Sequence, residues 1–272
     1  MVSSPGRNPA RRSRKIGTSA QGFKKRNAFA IPTRDGGLKR FYESLVKPVE
    51  LKLSIGRHSF VVLVEPVLTG FKYHVSLTDL IEVLKLIPEA DRRDIKIVVF
   101  RQPKRKERIF SPVWGRMAYW ADYGDHTGTA VVIEAQPLDY RYRLDTSIGP
   151  NFARELDSLR GDGHHIETGK RHIDITCPPE AIRNTQLFRT LPHEIGHNVD
   201  YLTKVDQAEG DYDDLRALYF ARPQSEREAF ADRYAQTIMA PFRANAVIPF
   251  PPLVNNEDSG LNPDWFYFDK TE

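Results

Sequence analysis

The period of the apolar pattern changes along this chain, and that change limits the folds open to it. VELKLSI (Val49–Ile55) alternates apolar and polar residues, as a half-buried strand does. HSFVVLVEP follows a turn at Gly56, which predicts a hairpin. FKYHV reads as a third strand and IKIVVF (Ile95–Phe100) as a buried one. GRMAYWADY and TAVVIEA (Thr129–Ala135) add two more, and HHIETGKRHIDITC reads as a second hairpin turning at Gly169, with Ile173, Ile175 and Cys177 on one face. Two helices interrupt this run. Ser76 opens the first with Asp79 as its capping partner, Leu77, Leu80, Ile81 and Leu84 form its buried stripe, and Pro88 ends it. NFARELDSLR is the second, and KRKER (Lys104–Arg108) reads as a solvated loop. From Pro178 the pattern is helical. A polar loop at Lys204–Asp214 precedes a further helix at Ser225–Ala240, and Pro241 begins a coil-rich end. Strands first and helices after predict an α+β fold around one core.

Length and charge place that core. The chain has 272 residues, 40% of them apolar, enough for one large domain with tails. Nine of its 40 Lys and Arg lie in Met1–Arg34, which has no Asp or Glu. The remaining 31 face 36 acidic residues, so the body is mildly acidic and the basic character belongs to a tail. We therefore expect a disordered basic tail over residues 1–37 and one domain over residues 38–272. Such a tail can contact nucleic acid or an anionic membrane. Cys177 is the only cysteine, which excludes an internal disulfide and fits a reducing compartment. No apolar run is long enough to span a membrane, and the start lacks the apolar segment of a secretory signal, although its basic composition is also that of a transit peptide. The expected location is cytoplasmic. No nucleotide-binding glycine motif is present, and no pattern indicates an oligomeric state.

The chemistry centres on TLPHEIGHNVDYL (Thr190–Leu202). On a helix His193 and His197 lie about 40° apart on one face, so their ring nitrogens can meet on one metal ion. Neutral imidazoles suit zinc, and Glu194 beside them can act as general base toward an activated water. Local stability alone would not select this stretch. Gly196 costs a helix about 1 kcal/mol relative to Ala, and Pro192 starts or kinks the helix.

A third ligand has to come from elsewhere. Asp200 is seven residues, about 10.5 Å along the axis, from His193 and too remote to join both histidines on one ion. In SEREAFADRYAQTIMAP, Glu228 and Asp232 share a helix face. Glu228 can ligate, and Asp232 can accept the free N–H of a ligating histidine. Ala231, Ala235 and Met239 form an apolar stripe whose small residues allow close approach to the first helix. Ser225 with Glu228 also spells a capping box, so the residues leave Glu228 open between cap and ligand.

HEIGHNVD followed by EAFADRYA resembles the gluzincin metallopeptidases, in particular the anthrax lethal factor-type catalytic domain, over residues 185–240. It is also similar, through Glu228–Pro241, to the repressor-cleaving metallopeptidases. The resemblance implies a zincin-like domain with a twisted mixed sheet and an active-site helix. It also implies Zn2+ held by His193, His197 and Glu228, with Glu194 as base. In the lethal factor group a tyrosine shortly before the third ligand stabilises the tetrahedral intermediate. Tyr219 is the nearest residue here, about two positions further back than that pattern, with Tyr201 and Tyr234 as alternatives.

The expected activity is zinc-dependent endopeptidase cleavage of a peptide or protein substrate, paired by its backbone to an edge strand. Thr129–Ala135 and His172–Cys177 are both candidates for that edge. The alternative is a catalytically inactive, zinc-stabilised binding or regulatory module that contacts nucleic acid through residues 1–34. His164, His165 and His172 are further candidates to line the cleft. Trp114, Tyr119 and Trp120 are expected to pack in the core or line a cleft.

Overall fold

The computed structural model describes residues 30–32, 38–40, 43–110, 113–145 and 150–267. The chain divides into two units, Met1–Ser44 and Leu45–Glu272. In the first, β1 (Ala30–Pro32) pairs antiparallel with β2 (Leu38–Arg40). The rest of the expected tail, including most of the basic stretch up to Arg34, lies outside the described residues. Every candidate metal-ligating and catalytic residue belongs to the second unit.

That unit is α+β, and its main sheet is mixed. The alternating stretch forms β3 (Val49–Ile55), which turns through Gly56 into β4 (His58–Val64). The turn needs a residue that tolerates φ of +62°, which glycine does without strain. β5 is short, Phe71–Lys72, and pairs with β9 (Gln136–Pro137) outside the main sheet. FKYHV is therefore a two-residue strand, not a member of the large sheet. α1 (Leu77–Leu86) follows, with the expected capping box between Ser76 and Asp79, and α2 (Glu89–Arg92) leads into β6 (Ile95–Arg101).

KRKER does not form a loop. It lies within and beside α3 (Arg105–Phe110). Glu107 turns inward to pair with Arg101, which also donates to Glu134 at 3.0 Å; all three side chains are buried. A buried guanidinium requires such partners, and a residue in an otherwise basic run supplies one of them.

β7 (Gly115–Asp122) and β8 (Thr127–Glu134) complete the sheet, whose order is β3-β4-β6-β8-β7. β4, β6 and β8 run parallel, and β3 and β7 are antiparallel to their neighbours. Thr129–Ala135 is thus interior, and the edges are β3 and β7. β10 (Tyr140–Asp145), α4 (Pro150–Asp162), β11 (His165–Thr168) and β12 (His172–Cys177) come next. β12 lies between β10 and β11, so His172–Cys177 is not an edge either. The hairpin buries Ile173, Ile175 and Cys177 against Leu156, Leu159 and Ile182 in a small second core, as the alternation predicted.

A continuous helical segment then crosses the molecule. It consists of α5 (Pro179–Thr185), a π turn at Gln186–Thr190, α6 (Leu191–Tyr201) and a second π turn at Leu202–Asp206. Part of the expected acidic loop is therefore helical, and α7 (Tyr212–Ala221) begins within it, capped by Asp211. α8 (Gln224–Ala244) runs past Pro241, which does not end it. Apolar residues of β4, β6 and β8 form the main core with α1, α6 and Met239 of α8. Ile195 is fully buried there, on the side of α6 away from the histidines, and such burial stabilises by about 1.5–3 kcal/mol.

Candidate metal centre

The helical segment that leads into α6 is held by two contacts. Arg183, one turn into α5, makes a paired ionic contact with Asp79, Nε to Oδ2 at 2.9 Å and Nη2 to Oδ1 at 2.7 Å, with both side chains buried. Asp79 therefore caps α1 and also ties it to the helical segment that carries the motif. Pro192 has no N–H for the preceding turn. The Phe188 carbonyl, four residues earlier, accepts from Arg243 Nη2 at 3.2 Å instead.

Gly196 faces α8. A Cβ there would lie 3.0 Å from Ala231 Cα and 3.0 Å from Tyr234 Cδ1. The two helices approach this closely because the contact residues are Gly196 and Ala231, so the loss in helix propensity is exchanged for proximity. The consequence is on the exposed side of the same contact. Glu228 Oε2 lies 3.3 Å from His193 Nε2 and 3.5 Å from His197 Nε2, and the three donor atoms lie within 4.8 Å of one another. α8 starts at Gln224 after Pro223 with no side-chain cap. Glu228 is therefore turned to the histidines and does not close a capping box with Ser225.

Zinc at about 2.0–2.2 Å from nitrogen and oxygen ligands in a tetrahedron sets neighbouring donor atoms about 3.3 Å apart. The two Glu228 distances fit that spacing. The donor chemistry fits as well. Asp232 Oδ1 lies 2.8 Å from His193 Nδ1 and can accept its N–H; in that neutral tautomer the Nε2 lone pair faces the Glu228 carboxylate. Two electron-rich atoms at 3.3 Å need positive charge between them. Without a metal, a proton meets that need. Burial opposes a charged His193, but Asp232 and Glu228 outweigh it and push the imidazole up to about 10. The two imidazoles hold the Glu228 carboxyl well below the usual carboxylate range.

Glu194 stands one position round the helix. Its Oε2 accepts the Met117 amide of edge strand β7 at 2.7 Å, and Oε1 makes no hydrogen bond among the described residues. Burial raises its carboxyl pKa, while His193, His197 and the Met117 amide pull it back.

Tyr219 is buried beside Tyr201 and Val205. Its hydroxyl lies 3.3 Å from that of Tyr119, which in turn donates to the His197 carbonyl at 3.2 Å. Tyr201 and Tyr234 bond Tyr212 at 2.9 Å and Asp91 at 2.7 Å. Asp200 is buried and pairs with Lys204 and Arg222.

His164 packs inside, bonded to Thr185 Oγ1 at 2.8 Å, and burial lowers its pKa to about 4. His165 is exposed, and His172 pairs with Asp174 at 3.1 Å. Trp114 packs on the small core, Tyr119 stacks between Trp120 and Tyr201, and Trp120 is half exposed. Burial pushes the Cys177 thiol up to about 12, so it is unreactive. Met117 is a site residue that the sequence does not single out, and Tyr119, expected only to pack in the core or line a cleft, contacts the His197 backbone. Neither carries a spacing signal, because both reach the helix from a strand more than 70 residues upstream.

Comparison with protein-family models, with curated proteins and with solved structures finds no match. No described helix is long and apolar enough to cross a membrane.

Proposed function

We propose that this chain is a zinc-dependent metallopeptidase with a zincin-like domain that hydrolyses peptide bonds. The observation that carries the reading is one oxygen of Glu228 lying 3.3 and 3.5 Å from the Nε2 atoms of two histidines on another helix. His193, His197 and Glu228 would hold the ion. Bound zinc supplies Lewis acidity and lowers the pKa of water to about 7.

The remaining work falls to the chain. Asp232 keeps the Nδ1 proton of His193 and so leaves Nε2 free to donate its lone pair. Glu194 is held by Met117 through one carboxylate oxygen. The other oxygen is open to take a proton from water and return it to the leaving amine. β7 has a sheet partner on one side only, so its outer edge can pair with an extended peptide next to Glu194. Tyr219 enters this reading through Tyr119, whose hydroxyl it meets and which contacts the backbone of His197. A lone buried thiol and no disulfide favour work in a reducing compartment such as the cytoplasm.

Metal content and activity test the reading together. The wild type is expected to bind one zinc per chain and cleave members of an unbiased peptide library. Glu194→Gln is expected to keep the zinc and lose cleavage, and Glu228→Ala to lose both. Full cleavage by Glu194→Gln would overturn the assignment of the base. Stoichiometric zinc with no cleavage of any peptide would favour the zinc-stabilised binding module. A salt-sensitive nucleic-acid interaction lost on deleting residues 1–34 would support that second reading.

A further inference from the structure

A cleft of about 870 Å³ opens beside the metal centre. It reaches His193, Glu228 and Asp232 and is walled by α4, the π turn before α6, and α8. Four arginines line it, Arg154, Arg189, Arg233 and Arg243. The acidic groups of the cleft are already engaged. Arg189 holds Glu155 at 2.7 Å and Asp162 at 2.9 Å. Glu228 and Asp232 face His193 at 3.3 and 2.8 Å. The other three guanidinium groups have no carboxylate partner among the described residues. Arg154 and Arg233 are exposed, and Arg243 donates to the neutral Phe188 carbonyl. The lining balances four arginines with four carboxylates, but three of its guanidinium groups keep N–H donors that no carboxylate among the described residues takes up, and these face the space the wall encloses. Guanidinium groups recognise carboxylates through paired N–H donors.

We infer that this cleft accepts a carboxylate of the substrate, so that the peptides taken by this site carry an acidic group beside the bond presented to the centre. The inference deepens the metallopeptidase reading and rests on it for what is bound. The carboxylate can come from an Asp or Glu side chain or from a free peptide C-terminus, and both present the same fork of acceptors.

The test uses the full chain loaded with zinc and peptides that carry Glu, Gln or Lys at each position in turn, in free and amidated C-terminal forms. At one position Glu is expected to exceed Gln by about tenfold in kcat/KM. That ratio is expected to fall toward one in Arg154→Gln/Arg233→Gln and to invert toward Lys in Arg154→Glu/Arg233→Glu. A preference lost on amidation instead assigns the carboxylate to the peptide C-terminus and supports the same cleft. Equal rates for Glu and Gln peptides of both forms, or a preference that persists in both double variants, would overturn the inference. If no peptide is cut, the metallopeptidase reading fails separately. The cleft is then judged by anisotropy of labelled Glu and Gln peptides on the Glu194→Gln protein, where equal affinities would also overturn it.

Discussion

Asp232 Oδ1 lies 2.8 Å from His193 Nδ1, and Glu228, one helical turn earlier on α8, faces the other nitrogen of the same ring. One helix thus places a carboxylate at each nitrogen of the same imidazole. Removing an acid that orients a ligating histidine typically costs 10–100-fold in metal affinity. Asp232→Ala is expected to weaken zinc binding by about that factor, measured by chelator competition, with the fold intact by circular dichroism. Unchanged affinity would mean that Asp232 does not orient His193.

Gly196→Ala tests the helix contact. An added methyl gains about 1 kcal/mol of helix propensity but meets the Ala231 backbone at 3.0 Å. To relieve that contact α8 must move away, and Glu228 moves with it. We expect weaker zinc binding in this variant even where thermal stability hardly changes. Affinity equal to wild type would show that α8 shifts without carrying its carboxylate.

Arg183→Leu would leave Asp79 buried without its charged partner, retaining only N–H donors such as those of Ser76 and Leu253. Breaking one side of a buried pair costs about 3–5 kcal/mol. The urea midpoint should fall accordingly. Because α1 and α5 are joined here, zinc affinity should fall as well. A loss below about 1 kcal/mol would indicate that the backbone donors are enough for Asp79.

His74 has no solvent exposure, and burial lowers its pKa to about 4 from the ordinary value of 6.5. The unfolded chain therefore takes up a proton at higher pH than the folded chain does. The stabilising contribution is complete above about pH 6.5 and is lost as the pH falls toward 4, by about 3 kcal/mol in all. Denaturant midpoints of wild type and His74→Gln, taken across that window, should show a shallower acid slope in the variant. Equal slopes would exclude His74 as a source of acid sensitivity and point to the other histidines whose pKa burial lowers, His58 and His164.

The chain alone determined what local periodicity and spacing can carry. β3, β4 and β6, the Ser76–Asp79 cap, the hairpin at Gly169 and the helix through His193 and His197 each depend on neighbours a few residues apart. So does the shared face of Glu228 and Asp232. Tertiary structure decided what depends on which distant surfaces meet. β7 and β8 carry comparable strand patterns, and only sheet order makes β7 the edge beside Glu194. KRKER reads as solvated until Arg101, buried in β6, draws Glu107 inward and a helix forms around it. The sequence lets Glu228 either cap its own helix or face the histidines, and it faces them where Gly196 and Ala231 let two helices close to backbone contact. The arginines of the cleft are scattered over α4, a π turn and α8. Their donors line one space only because packing brings those segments together, and the interactions of charged groups depend on separation in space, whatever the separation along the chain.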